Sequence, residues 1–459
     1  MAGRAGASPP TPIPGRVWAV AAVTGVGALL GMLDSTLVNL AVEAVRADLG
    51  SSLPVVQWIV TGYLVALVVS LPASGWLGAR FGHGRVWAVS LAAFTVASVW
   101  CALSPGVESL VAARVAQGLA AGLMVPAGQA VIGSIAGRDQ LGRLFGVLGL
   151  VLALGPAVGP AAGGLLLQVA SWRWLFWLTV PIGLATLVLA RGLVPGGEKD
   201  PDRALDRRGL ALLGVGLPLA LYAATDLGAG GFTAAAVVAV GVGVVLIAVF
   251  AVGAVRTASP LIDLRLLGVR GFAAATLTTG FTGAATYAGL LVLPLYLHLG
   301  LGWDSVATGT ALLAMGLGTA VALYVGGVLT DRRGPGPVAV AGAVLLVVST
   351  APFTLPGRLP DPVLIAVLVI RGVGLAWAQM PATTAAYAVV DPGRIGDATA
   401  LVNIVQRVGG ALGVAGLVVV LTHAAGGYVP AFAVLTGLAV PAVVTSALLW
   451  RATVRPVGV

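Results

Sequence analysis

The chain has 459 residues, of which 59% are hydrophobic and only 9% are charged, and its mean hydropathy is +1.04. A soluble protein carries about 25% charged residues. A bilayer core is spanned by about 20 apolar residues of helix, and such stretches recur along the whole sequence. The composition indicates an integral membrane protein and excludes a soluble enzyme or a nucleic-acid-binding module. The net charge of +9 is therefore interpreted as a sign of membrane topology.

The scarcity of reactive side chains excludes several kinds of chemistry. Lys199 is the one lysine and lies in a polar loop beside Glu198. The sequence therefore has no phosphate-binding Gly-x-x-x-x-Gly-Lys-Ser/Thr loop and disfavours a Schiff-base lysine. Cys101 is the one cysteine, and the three histidines lie in different segments, which argues against a disulfide or a metal site. No cofactor and no metal are expected.

Apolar stretches taken in chain order predict fourteen membrane spans. If the N-terminus is cytoplasmic, 20 of the 25 Lys and Arg residues, Arg407 among them, fall on the cytoplasmic side or at its interface. Because basic residues concentrate in cytoplasmic loops, both termini are expected in the cytoplasm. The approximate limits of the spans are 17–39, 54–77, 86–104, 109–135, 143–168, 174–194, 209–225, 232–254, 271–296, 305–329, 337–355, 363–388, 400–422 and 429–450.

Repeated sequence marks divide the chain into two similar halves. Gly75 and Gly327 each begin a Gly- and Arg-containing loop, 58 and 57 residues into the two halves, and Arg114 and Arg371 recur at similar offsets. Many transporters are built from such repeats. The predicted fold is an all-α membrane protein with a cytoplasmic tail (1–16), a six-helix bundle (17–194), a linker with two inserted helices (195–269), a second six-helix bundle (270–450) and a cytoplasmic tail (451–459).

Five short motifs follow one another along the first half. They are Leu33 to Asn39 in helix 1, Gly75 to Arg85 between helices 2 and 3, Arg114 to Gly118 in helix 4, Gly155 to Gly164 in helix 5, and Trp172 to Trp177 before helix 6. In these motifs and their order, the chain resembles the major facilitator superfamily, in particular its fourteen-helix drug/proton antiporter branch of multidrug efflux type. The resemblance covers nearly the whole chain and implies two six-helix bundles with two inserted helices.

Asp34 is the carboxylate placed deep within a predicted span. An ionised side chain in the bilayer core costs free energy, and ionisable residues found there usually serve a function. Asp34 is therefore a candidate for proton coupling. The alternative is a buried hydrogen-bond partner without a transport role. Arg114 cannot lose its proton, and Gln117 lies on the same helical face. The resemblance implies that Arg114 acts with Asp34 in proton transfer and adds Asn39 from the helix 1 motif; a structural or snorkelling arginine is the alternative.

The helix 5 motif combines small residues with prolines. Its glycines recur every four residues and permit the close approach of another helix, and its prolines remove backbone donors and bend the helix. The resemblance implies that this helix seals the cavity on its outer side and limits leak, and packing alone is the other interpretation. The residues of the motif are Gly155, Pro156, Gly159, Pro160, Gly163 and Gly164.

Two copies of a gating motif are predicted in cytoplasmic loops. The first copy departs from the family pattern, because Ala79 stands where the second copy keeps an aspartate, Asp331. An aspartate there can bind a helix N-terminus and pair with arginine, so Asp331 is expected to carry more of the latch. The motif residues are Gly75, Arg80, Gly82 and Arg85 in the first half and Gly327, Asp331, Arg332 and Gly334 in the second.

A cavity for bulky amphipathic molecules is expected to mix apolar and aromatic surface with few polar groups. Each candidate could also be a core or interfacial residue. The candidates are Trp58, Tyr63, Gln129, Tyr287, Tyr296, Trp377, Gln379 and Met380.

These observations predict a proton-coupled secondary transporter that exports hydrophobic or cationic organic compounds, such as drugs or natural-product antibiotics, by alternating access. We expect a monomer without catalytic activity in a bacterial cytoplasmic membrane, with a small organic molecule, protons and the lipid bilayer as partners. An uncoupled or differently coupled lipid or metabolite carrier on the same fold is the first alternative. A membrane-embedded enzyme is the second, and a lone Asp34 does not supply the constellation that it needs.

Overall fold

The computed structural model describes residues 12–137, 139–230, 234–257, 259–355, 357–423 and 427–454. The predicted tails 1–16 and 451–459 lie in large part outside this description, as do the side chains at Gly155, Pro156 and Pro160 of the helix 5 motif. Within the helices, side chains are not described for residues 152–158, 160–162, 221–230, 236–237, 305, 392, 423 and 454.

All regular secondary structure in the described residues is helical. The N-terminal half consists of α1 (Gly15–Asp48), α2 (Leu53–Val56), α3 (Trp58–Ser70), α4 (Ala73–Phe81), α5 (His83–Ala102), α6 (Val107–Ile135), α7 (Leu141–Val169), α8 (Arg173–Trp177) and α9 (Thr179–Leu193). The inserted pair is α10 (Arg207–Gly230) and α11 (Ala234–Arg256). The C-terminal half consists of α12 (Arg270–Leu295), α13 (Ser305–Arg333), α14 (Pro335–Thr350), α15 (Asp361–Ala388), α16 (Ile395–His423) and α17 (Val429–Val454).

Twelve helical segments in the described residues are long and apolar enough to cross a membrane. In this count α2 and α3 form one segment, as do α8 and α9. Helices α7 and α10 are not among the twelve, and parts of both lie outside the description of side chains. The structure therefore establishes an all-helical membrane fold, and the number fourteen stays a prediction.

The two halves repeat the same helix packing. In the N-terminal half α5 packs on α6, α3 on α6, and α1 on α7. In the C-terminal half the corresponding neighbours are α14 on α15, α13 on α15, and α12 on α16. Small residues allow this packing, since a Cβ at Gly409 would lie 2.2 Å from the Gly280 carbonyl oxygen.

The halves meet at the end of the molecule where α1 begins and α17 ends, which we call the terminal end. A single apolar cluster there joins both halves and includes Phe145, Leu323 and Ile395. At the opposite, distal end the described apolar clusters belong to one half each, around Phe176 in one and Phe432 in the other. The described apolar contacts between the halves are therefore concentrated at the terminal end.

The inserted helices lie beside one seam between the halves. Helix α10 packs on its partner α11 and also on α3 of the N-terminal half and α16 of the C-terminal half. Since one helix contacts both halves, the inserted pair covers the seam between α3 and α16.

Two helices extend beyond their predicted spans. Helix α1 ends at Asp48, nine residues past the predicted limit, and this polar extension carries an exposed Glu43–Arg46 ion pair of 2.6 Å. Helix α16 begins at Ile395, five residues before the predicted limit. Arg407 consequently lies 12 residues inside α16, about 18 Å from its start, which corrects its predicted position at the cytoplasmic interface.

Candidate functional site

A buried ionic network connects α1 and α6. The Arg114 Nη1 atom donates to Asp34 Oδ2 at 2.5 Å and to Gln117 Oε1 at 2.5 Å. Gln117 Nε2 donates to Asp34 Oδ1 at 3.0 Å. The side chains of Asp34 and Arg114 are each only 1% exposed. Both carboxylate oxygens are thus bound, and we call these three residues the ionic network.

Two further helices complete the coordination of the ionic network. Arg114 Nε donates to the Ile59 carbonyl at 2.8 Å, and the guanidinium carbon lies 4.2 Å from the centre of the Tyr63 ring. Tyr63 donates to the Gly31 carbonyl at 3.3 Å, and Gln117 Nε2 also donates to Ser98 Oγ at 2.9 Å. Buried charges are tolerated when they are paired and hydrogen-bonded, and this arrangement meets that condition.

The C-terminal half has an arginine in the same place without a carboxylate. Arg371 is fully buried, and it donates to the Thr350 hydroxyl and, at 2.9 Å, to the Ala285 carbonyl. Gly289 lies 19 residues after the start of α12, as Asp34 does after the start of α1, and a Cβ at Gly289 would approach Arg371 Nη2 to 2.6 Å. The repeated fold therefore carries a carboxylate beside its buried arginine in one half, and glycine in the other.

A group of three polar residues joins the two halves near the terminal end. Gln129 Oε1 on α6 accepts from Asn403 Nδ2 at 2.7 Å and from the Tyr387 hydroxyl at 3.2 Å. The Tyr387 ring lies 5.2 Å from the ring of Phe145. We call Gln129, Tyr387 and Asn403 the inter-half bridge, and it closes the terminal end together with the apolar cluster.

The second gating motif binds the start of α7. Asp331 Oδ1 accepts from the Gly142 backbone N–H at 2.9 Å, and Asp331 Oδ2 accepts from Arg143 Nε at 2.7 Å and from the Arg143 backbone N–H at 3.2 Å. A carboxylate is stabilised at a helix N-terminus by free N–H groups and the helix dipole. Gly327 permits the contact, since a Cβ there would lie 2.6 Å from the Gly142 carbonyl oxygen.

The latch at the first gating motif also pairs a carboxylate with an arginine, but the two groups come from the opposite sides. Helix α16 starts with Gly396 and Asp397 where α7 starts with Gly142 and Arg143. Asp397 accepts two hydrogen bonds from Arg203 Nη2, at 2.8 and 2.9 Å. The carboxylate thus lies on the C-terminal half, and its arginine comes from the linker that follows α9.

This linker segment, residues 194–206, lies along the first gating loop, and we call it the strap. The Asp200 backbone N–H donates to the Ala79 carbonyl at 2.8 Å, and Trp76 Nε1 donates to the Arg203 carbonyl at 3.2 Å. Gly82 has a φ of +92°, and a Cβ there would lie 2.2 Å from the Gly196 carbonyl oxygen. The strap therefore holds the first half and reaches α16 through Arg203.

The other gating-motif residues occupy less central positions. A Cβ at Gly75 would approach Asp397 Oδ1 to 2.9 Å, and Arg85 Nη1 donates to the Phe81 carbonyl at 3.3 Å. Arg80 is half-buried and Arg332 is exposed. Gly334 ends α13 with a φ of +83°.

The described glycines of the helix 5 motif lie against α1. A Cβ at Gly159 would lie 2.8 Å from the Thr36 side chain, and one at Gly163 would lie 2.8 Å from the Leu37 side chain. Gly164 has no atom within 4 Å of its Cβ position. The motif therefore contributes close α1–α7 packing next to the helix that carries Asp34.

The predicted cavity residues are distributed over several environments. Tyr63 contacts the ionic network, and Gln129 belongs to the inter-half bridge. Tyr296 packs in an aromatic cluster with Phe353, Tyr428 and Phe432. Trp377 Nε1 donates to the Ala322 carbonyl at 2.9 Å, and Tyr287 lies against Gly410. Met380 is buried, Gln379 is half-buried, and Trp58 and Asn39 are exposed.

Several residues that join the two halves were not identified from the sequence. Asn403 and Tyr387 belong to the inter-half bridge, and Arg203 and Asp397 form the first latch. Asn403 and Arg407, polar residues four apart within an apolar helix, are the available signal for one face of α16. No sequence pattern indicates the contacts of the strap, because the residues that it contacts lie far from it in the sequence.

The family model described as Major Facilitator Superfamily matches residues 24–414 and 275–458. The chain is 34% identical over 409 residues to "Multidrug resistance protein B homolog" of Mycobacterium tuberculosis, covering 88% of this chain and 76% of that protein. It is 33% identical over 426 residues to "Puromycin resistance protein pur8" of Streptomyces alboniger, covering 91% and 84%.

One further relative is similar in sequence, and two solved structures are similar in fold. The chain is 32% identical over 435 residues to "Tetracenomycin C resistance and export protein" of Streptomyces glaucescens, covering 92% and 79%. The human organic anion transporter MFSD10 aligns with a TM-score of 0.65 at 18% identity, covering 96% of this chain and 100% of that one. The proton:xylose symporter XylE aligns with a TM-score of 0.68 at 16% identity, covering 95% and 96%. At these identities the solved structures inform on the fold alone.

Proposed function

The chain belongs to the Major Facilitator Superfamily, and on this premise we propose that it exports hydrophobic organic compounds from the cytoplasm in exchange for protons. It is a multi-pass membrane transporter with multidrug and antibiotic resistance proteins among its relatives. The observation that carries the proposal is the buried pair of Asp34 and Arg114. A carboxylate in the membrane interior is the kind of group that binds and releases protons in pumps and transporters.

Proton binding at Asp34 would change the ionic network directly. The guanidinium of Arg114 stays charged, and its present partners are the Asp34 carboxylate, the Gln117 amide and the Ile59 carbonyl. A proton on Asp34 removes the charge that balances Arg114 and weakens the contact between α1 and α6. The conformational preference of the transporter then depends on the protonation of one residue.

Alternating access requires the terminal end to open. In the structure this end is held by the Asp331 latch, the Arg203–Asp397 latch and the inter-half bridge. We propose that rocking of the halves releases all three contacts in the state that admits substrate. The proposal also includes fourteen spans, cytoplasmic termini, a bacterial cytoplasmic membrane and a monomeric state. The distribution of basic residues supports the cytoplasmic position of the termini.

A carrier without proton coupling is the alternative. Both oxygens of Asp34 are already hydrogen-bonded, which also suits a permanent structural pair between α1 and α6. In that case Asp34 would stabilise the N-terminal half, and a lipid or metabolite would move down its own gradient. The two candidates differ in whether transport responds to a proton gradient.

Transport by everted membrane vesicles tests the proposal. Hydrophobic fluorescent dyes of neutral, cationic and anionic type are offered to vesicles that contain the parent chain, Asp34→Asn or Asp48→Asn, with and without an imposed proton gradient. Asp48 is the matched control, because its carboxylate pairs with Arg173 at 2.7 Å in an exposed position. We expect gradient-driven uptake in the parent and in Asp48→Asn and its loss in Asp34→Asn. Uptake that ignores the gradient would favour the uncoupled carrier.

A further inference from the structure

Arg407 lies in the middle of a membrane-spanning helix. Helix α16 has 29 residues, and Arg407 is 12 residues from its start, about 18 Å along an axis of about 43 Å. The side chain is half-buried. A guanidinium at such a depth is expensive and is expected to face a cavity or a partner.

The position of Arg407 on α16 directs it toward the N-terminal half. The opposite side of α16 packs on α12, where Gly409 approaches Gly280 and Gly413 approaches Ala284. Ile404, one turn before Arg407, packs against the apolar cluster of the N-terminal half that includes Tyr63. The guanidinium therefore faces the space between the halves.

This space lies between the inter-half bridge and the ionic network. Asn403, one turn before Arg407 on α16, binds Gln129 in the bridge. Tyr63, on the other side, contacts Arg114 in the ionic network. Arg407 therefore lies between these two groups, on the side of the bridge that faces away from the terminal end.

The charge of Arg407 is not balanced by the described residues around it. In the part of the chain that the structure describes, Arg407 has no hydrogen bond or ion pair. Asp34 is the described carboxylate well inside a membrane-spanning helix, and Arg114 and Gln117 occupy both of its oxygens. Asp226 lies on the inserted helix α10, and its side chain is outside the description. Arg371 adds a second cation without a carboxylate partner.

We propose that Arg407 is a substrate-binding residue and that the transported compounds are amphipathic organic anions. The inference rests on the proposed export function and narrows its substrate class. An acidic group on the substrate, such as a carboxylate or a phenolate, would accept hydrogen bonds from a guanidinium that always carries its charge and presents several donors. The apolar body of the substrate would lie against the half-buried apolar surface above the bridge. The cationic compounds expected from the sequence would be repelled at this position.

Binding of two ions of equal shape tests the charge preference. Tetraphenylborate and tetraphenylphosphonium have the same four-ring shape and opposite charges. Their affinities are measured by titration calorimetry on the full chain in nanodiscs, with empty nanodiscs subtracted and no proton gradient. We expect tetraphenylborate to bind more tightly. Tighter binding of tetraphenylphosphonium, or no binding of either ion, would overturn the proposal.

Three variants assign the preference to Arg407. Arg407→Gln is expected to weaken tetraphenylborate binding about tenfold, the effect of losing one charge–charge attraction, and to leave tetraphenylphosphonium binding unchanged or stronger. Arg407→Lys keeps the charge and is expected to retain most of the affinity. Arg256→Gln, at the exposed end of α11, is the control. Unchanged tetraphenylborate binding in Arg407→Gln would refute the assignment to Arg407. If the parent chain binds tetraphenylborate as expected but shows no gradient-driven transport, that result would count against proton coupling alone.

Discussion

Removal of one charge from the ionic network is expected to destabilise the protein strongly. In Asp34→Asn the amide can still accept from Gln117, but its NH₂ group meets the Arg114 Nη1 donor across the 2.5 Å contact. Breaking a buried ion pair by removing one partner costs about 3–5 kcal/mol. Since Arg114 keeps the Ile59 carbonyl and the Gln117 amide oxygen, we expect the lower end of that range, about 3 kcal/mol.

A double-mutant cycle separates this charge effect from a general loss of packing. Arg114→Gln is expected to cost a similar amount, and the double variant Asp34→Asn with Arg114→Gln is expected to cost less than either single variant, because no unpaired charge is left buried. The coupling energy should therefore reach about 3 kcal/mol or more.

Reversible unfolding in mixed micelles, followed by tryptophan fluorescence, measures the free energies of the cycle. Glu43→Gln is the control, because the Glu43 side chain is 70% exposed, and exposed ion pairs contribute little. We expect no measurable change in that variant. Single costs below about 1 kcal/mol, or costs that simply add in the double variant, would refute the view that the pair is held by charge in a dry interior.

Two further predictions concern closure of the terminal end, measured as distances between spin labels on the two halves. Arg203→Glu brings two carboxylates together and should lower the ratio of closed to open molecules about tenfold. Adding Asp397→Arg to this variant should restore closure, and a failure to restore it would contradict the latch. Gly327→Ala places a Cβ 2.6 Å from the Gly142 carbonyl oxygen, a backbone atom that cannot rotate away, and should also favour opening. Gly309→Ala, on the same helix with open space around its Cβ position, should leave the distances unchanged.

Much of the fold could be predicted from hydropathy. A membrane helix must satisfy its backbone hydrogen bonds internally, so each apolar stretch corresponds to a helix, and helices occupy the predicted spans from α1 to α17. The limits of the spans were less predictable. Helix α1 continues through Glu43 and Arg46 to Asp48, since a helix does not have to end where its apolar residues end.

The ionic network was the most predictable part of the candidate site. Charged residues are rare within membrane spans, so Asp34 and Arg114 stood out, and the spacing of Gln117 placed it on the same face. The sequence did not reveal their other partners. Ser98 and the Ile59 carbonyl are found only when the helices are packed, because neither has an unusual sequence signal.

The latches show a second limit of sequence reasoning. Comparison of the two gating motifs drew attention to Ala79 and Asp331, because both belong to a repeated pattern. The compensation lies elsewhere, in Arg203 on the strap and Asp397 on α16, which are 194 residues apart. Pairing of residues so far apart depends on tertiary packing, and a single sequence contains no periodicity that indicates it.

The position of α10 has a consequence for how lipid-soluble molecules reach the interior. A two-half bundle has two seams through which a compound dissolved in the bilayer could enter sideways. Helix α10 contacts α3 and α16 and so forms a wall along one seam. The other seam, between α7 and α13, is lined near the terminal end by glycines that bring these helices together. Under the proposed export function, a compound that enters sideways from the lipid would therefore have to pass between α7 and α13, and only after these two helices separate.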